Sequence, residues 1–83
     1  MPRYRVLADW RQFDQGTIQT VLREMMRTDP ECEASFELKE GEGAWFKLVA
    51  SSRDTAQRSV EAAARKAGVT DSDAVGGAEA EPL

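Results

Sequence analysis

Apolar and polar positions alternate from the start of the chain. In RYRVLADW, residues 3–10, Tyr4, Val6, Ala8 and Trp10 share one side, and Arg3, Arg5, Leu7 and Asp9 share the other. A period of two is the mark of a strand with one buried face. RQFDQG then reads as a loop, with Asp14 or Thr17 able to cap a helix. In TIQTVLREMMRTDP the period changes: Ile18, Val21, Leu22, Met25 and Met26 line one helical stripe. Asp29-Pro30 ends that helix, because a residue before proline is pushed out of the helical region.

Alternation returns in ECEASFELK, with Cys32, Ala34, Phe36 and Leu38 on one face and Glu31, Glu33, Ser35, Glu37 and Lys39 on the other. After EGEG, the run AWFKLVA puts Phe46 and Leu48 on one face and Trp45, Lys47 and Val49 on the opposite one. The two runs predict a hairpin. Its apolar faces coincide only if paired residue numbers sum to an even number. A three-residue loop Gly41-Glu42-Gly43 satisfies this and puts glycine where such loops need a left-handed residue. That register sets Leu38 opposite Phe46, Glu37 opposite Lys47 and Lys39 opposite Trp45. The outer face then gains an ion pair and a cation over an aromatic ring.

SSRDTAQRSVEAAARKAG has the punctuation of a second helix. Ser51 or Ser52 caps it, Asp54 suits its positive end, Arg65 and Lys66 suit its negative end, and Gly68 closes it. Its apolar stripe is Ala56, Val60, Ala63, Ala64 and Ala67, small side chains that allow close approach to a sheet. Residues 71–83 are small and acidic with two adjacent glycines, which predicts a disordered tail; Val69 to Val75 is the one place for a weak fourth strand.

The element order predicts an α+β chain: one domain over residues 1–70 followed by the acidic tail. Strand 1, helix 1 and a parallel strand 2 require a right-handed crossover, and the hairpin supplies strand 3 between them. The economical arrangement is a ferredoxin-like β-α-β-β-α two-layer sandwich. Its sheet is three-stranded in the order 1-3-2, with both helices on one face and a fourth strand absent or weak. The sheet's second face then carries Leu7, Trp45 and Val49, with Arg3, Arg5, Lys47, Glu33 and Glu37 around them.

Composition narrows the chemistry. The net charge of −4 is uneven: residues 1–30 carry +1, 31–50 carry −3, 51–67 carry +2 and 68–83 carry −4. With no basic footprint, generic nucleic-acid binding is disfavoured. Arg3 and Arg5 beside Trp45 match single-stranded RNA binders in residue type only. Cys32 is the only cysteine and there is no histidine, so no internal disulfide and no usual zinc site can form. Cys32 also lacks a base for thiol catalysis and reads as a buried side chain. GEG fits no phosphate-binding glycine spacing. The glutamates of strand 2 read as a solvated face; as an imitation of a phosphate strand they are diluted by Lys39 and Lys47.

The opening residues lack an apolar run, so no signal peptide is expected, and the lone cysteine fits a reducing, cytoplasmic setting. The expectation is a non-catalytic module, without metal or cofactor, that binds a protein partner through the open sheet face, such as a small acidic inhibitor or adaptor. The alternative is a small-ligand-sensing domain that homodimerises through the same face.

Overall fold

The first alternating run becomes β1, Arg3–Ala8, in the computed structural model, which describes residues 2–8, 15–39, 43–69 and 75–81. Asp9 and Trp10, expected to continue this strand, lie outside the described residues, as does the candidate cap Asp14. Helix α1 spans Gln15–Thr28. It begins ahead of Thr17, so Thr17 is not its cap. Ile18, Val21 and Met25 are buried and Leu22 is half-buried, but Met26 is 41% exposed, so the inward stripe is narrower than the apolar pattern.

The chain after α1 departs from expectation. Pro30–Cys32 forms a 3-10 turn instead of the start of a strand. Asp29 explains this: its side chain accepts from the Glu31 N–H at 3.1 Å, while Pro30 has no N–H to offer a ladder. Glu33 then adopts a left-handed conformation (φ 50°), which breaks any extended run before Ser35. Cys32 is therefore buried in the turn, and β2 is the shorter Ser35–Lys39.

β3, Gly43–Val49, pairs antiparallel with β2, and the even-sum rule holds. The register is nevertheless two residues from the predicted one. Phe36 faces Phe46, Leu38 faces Ala44, Glu37 faces Trp45 and Ser35 faces Lys47. The last pair is Lys39 with Gly43 (φ 117°); the predicted loop falls largely on residues 40–42, outside those described. Parity keeps every side chain on its expected face, because a shift of two preserves the alternation.

Helix α2, Arg53–Lys66, follows the punctuation read from the sequence. Ser52 Oγ accepts from the Thr55 N–H at 3.1 Å as the cap. At the other end the Gly68 N–H donates to Arg65 O and the Val69 N–H to Ala64 O, at 3.1 and 2.9 Å. This pattern requires Gly68 at its positive φ of 94°.

The largest correction concerns the segment assigned to the disordered tail. Val75–Ala80 forms a strand, β4, antiparallel to β1. Its register slips between the Val6–Ala78 and Ala8–Val75 pairs, so Gly76 and Gly77 together stand against Leu7 as a bulge. A Cβ on Gly76 would lie 3.2 Å from the Leu7 carbonyl oxygen, whereas one on Gly77 meets open space. The glycine pair that signals disorder by composition thus serves a close approach.

The sheet has four strands, all antiparallel to their neighbours, in the order β2-β3-β1-β4. Even-numbered side chains Val6, Ala8, Ala44, Phe46, Leu48 and Ala78 point into the core. They meet Ile18, Val21 and Met25 of α1 and Ala56, Val60, Ala63 and Ala64 of α2. α2 packs against β4, β1 and β3, and α1 packs against α2. The alanine stripe permits this close contact, which leaves only modest apolar area per residue.

The bulge makes a paired prediction. Gly76→Val should lower the thermal midpoint by several degrees, since backbone of β1 cannot give way, as about 1–2 kcal/mol in a domain of this size implies. Gly77→Val should leave the midpoint unchanged or raised, read by circular dichroism.

Candidate functional site

The odd-numbered face of the sheet is the surface that the two helices do not cover. β3 and β1 supply its centre through direct register pairs: Trp45 with Leu7, Lys47 with Arg5, and Val49 with Arg3. β2 adds Glu37 beside Trp45 and Ser35 beside Lys47; β4 adds Glu79 beside Arg5. Leu7, Trp45 and Val49 are each half-buried. All eight residues expected to form the binding face are thus gathered here, including Glu33, which reaches it from the segment before β2.

Charges tile this apolar base: Glu33, Arg3, Glu81, Lys47 and Glu37 form one chain of ion pairs, and Arg5 pairs with Glu79 beside it. Arg5 also touches the aromatic ring. Its guanidinium lies 5.0 Å from the centre of the Trp45 ring, and its Nη2 donates to Glu79 Oε2 at 3.1 Å. Arg3 Nη1 donates to Glu33 Oε2 at 3.4 Å, and its Nε stands 3.4 Å from Glu81 Oε2, an ion pair without hydrogen-bond geometry. Lys47 Nζ sits between Glu37 Oε2 and Glu81 Oε1, at 3.4 and 3.5 Å. Exposed pairs of this length contribute about 0–1 kcal/mol each, so the network orients side chains more than it stabilises the fold. Glu81, whose side chain is 25% exposed, is its least solvated carboxylate and bridges two strands.

Two expected contacts take a different form. Glu37 and Lys47 do form an ion pair, but diagonally, because Lys47 faces Ser35 in the actual register. Arg5 from β1 lies over the Trp45 ring, and Glu37, not Lys39, is the β2 residue paired with Trp45 in the register. Glu79 and Glu81 were missing from the sequence reading of this face. The small-acidic alternation of Ala78, Glu79, Ala80 and Glu81 is the period-two signal that could have found them.

A second concavity lies between the helices. Met25, Thr28, Cys32, Leu48, Ser59, Ala63 and Lys66 line a cleft of about 70 Å³, room for roughly two waters by liquid volume. The Cys32 thiol points to the Met25 carbonyl at 3.8 Å. Burial pushes its pKa above the ordinary value of 9.0, and the Asp29 charge adds to this. No group of three or more His, Cys, Asp or Glu among the described residues could hold a metal ion. No helix among them is long and apolar enough to cross a membrane.

No family model, curated protein or solved structure matches the chain. The site must therefore be read from its own chemistry.

The cysteine supplies a check on burial. Cys32 should react with a thiol reagent such as DTNB at pH 8 at least tenfold more slowly in the native protein than in guanidinium chloride. Because its folded pKa is raised, the associated stability is fully present below the ordinary thiol range and is lost as pH climbs through the raised value. Cys32→Ala should abolish that alkaline loss, measured as midpoint against pH.

Proposed function

We propose that this chain is a small non-catalytic binding module that acts by protein–protein contact through the odd-numbered face of its sheet. The observation that carries the reading is Trp45, half-buried at the middle of that face with Arg5 stacked 5.0 Å from its ring. Leu7 stands directly opposite Trp45, and Val49 adds a second apolar position beyond the Lys47–Arg5 row. Aromatic and arginine side chains supply most of the energy at protein interfaces, and a surrounding ring of polar groups excludes water. Arg3, Lys47, Glu33 and Glu37 are that ring here. An inhibitor or adaptor that docks on a larger complex, in a reducing cytoplasmic setting, fits the acidic balance and the single buried cysteine.

For the fold, we adopt the ferredoxin-like two-layer sandwich. The order β2-β3-β1-β4 with antiparallel neighbours and both helices on one side supports it. The domain then runs through Ala80 instead of ending at residue 70. A face of this kind is available for contact because the helices occupy only the other side.

The second reading is a homodimer that buries the same face and senses a small ligand. Its support is the presence of both charge signs around the patch, Arg3, Arg5 and Lys47 beside Glu37, Glu79 and Glu81, which makes the face self-complementary.

Light scattering over a concentration series separates the two. The first reading expects a monomer at all concentrations, with partner capture that falls at least tenfold for Trp45→Ala while the far-UV spectrum is unchanged. A dimer that Trp45→Ala dissociates would establish the second reading. Unfolding of Trp45→Ala would make Trp45 part of the core and remove both.

A further inference from the structure

β4 is held in an unusual way for a strand in a four-stranded sheet. Only Ala78 is buried, Val75 is half-buried, and the Gly76–Gly77 bulge weakens the middle of the strand. What remains is the ladder to β1, the contact of the strand with α2, and a set of carboxylate contacts. Glu79 meets Arg5, and Glu81 meets both Arg3 and Lys47. The seat on which β4 lies is therefore strongly specified, by a backbone edge and three cations, while the occupant is not.

We infer that the outer edge of β1, with Arg3, Arg5 and Lys47, is a receptor for an extended acidic protein segment, and that β4 is its resident occupant. The segment that fits has a small residue inward, where Ala78 lies against the core, and carboxylates outward at alternate positions, as at Glu79 and Glu81. Backbone hydrogen bonds supply affinity in such strand addition, and the alternating side chains supply selectivity. The seat shares Arg3, Arg5 and Lys47 with the Trp45 face, but it is the edge of β1 that takes the segment, and the inference stands whether or not Trp45 docks a partner. A strand in the same chain acts at an effective concentration in the millimolar range, so an outside segment succeeds only by binding better or when β4 is loosened. A segment without the glycine pair has that advantage, because glycine loses the most freedom on entering a strand.

The experiment uses the full chain carrying both Glu79→Gln and Glu81→Gln, titrated with an amidated synthetic peptide of residues 75–81 and followed by amide NMR. The peptide is expected to bind this variant about tenfold or more tightly than it binds the unaltered chain. Amides of β1 shift and the chain's own β4 amides lose exchange protection. A peptide with glutamines at both glutamate positions binds at least about fivefold more weakly. Adding Gly77→Thr, which fills open space and favours the resident strand, lowers peptide binding several-fold. If the double variant fails to fold, Glu79→Gln alone carries the same comparison. The inference is overturned if the folded variant does not bind the peptide, if both peptides bind equally, or if binding leaves β4 protected. Exchange of β4 between two copies, read as a dimer mass with β4 still protected, overturns it as well.

Discussion

Everything in this fold depends on β1 being hydrogen-bonded along both of its edges. It pairs with β3 on one side and with β4 on the other, so segments near residues 3–8, 44–49 and 75–80 meet at one strand. None of these contacts is local. Their entropic cost is large, and it is offset only when the even-numbered side chains of all three strands reach the helices together. Val6, Phe46 and Leu48, each almost fully shielded from water, are where that happens. The central strand thus couples the core on one face to the charge network on the other.

The helices set how thin the molecule is. α2 presents Ala56, Ala63 and Ala64 around a single larger residue, Val60, and so lies close over β1, β3 and β4. Close packing limits the apolar area buried per residue, which leaves a small stability margin. Under that constraint a weakly apolar strand such as β4 matters. It gives β1 a backbone partner and puts Glu79 and Glu81 among the cations of the opposite face. Arg5 links these roles, because one guanidinium contacts Trp45 of β3 and Glu79 of β4 at once.

The sequence pattern and the structure part at three places, each for its own reason. The segment from Glu31 to Ala34 alternates as a strand does, but Asp29-Pro30 offers a local turn that satisfies its own hydrogen bonds, and the turn prevails. After Val75, residues 76–81 lack strand formers, and their glycines and glutamates read as disorder; burial of Ala78 beside β1 and the cations of Arg3, Arg5 and Lys47 override that preference. The hairpin register erred by two because turn chemistry was used to choose among even sums, and parity alone cannot distinguish them. The turn at Asp29-Pro30 is decided within three residues, whereas β4 is decided by a partner distant in the chain, Arg5 and Glu79 being 74 residues apart.

The sequence by itself determined both helices, the cap at Gly68, the Ser51-Ser52 pair from which the other cap comes, and the face to which each side chain of β1, β2 and β3 turns. These follow from period and capping, which are properties of neighbouring residues. Seven of the eight residues of the outer face could be named for the same reason, since alternation assigns a side without knowledge of the partner; Glu33 reaches it from outside β2. Only the tertiary structure decided that Arg5 lies over Trp45, and that Glu79 and Glu81 complete the network. It alone gave β1 a second neighbour. Those outcomes depend on register and strand order, where the competing arrangements differ by small energies and long loops, and no local pattern records which one closes the sheet.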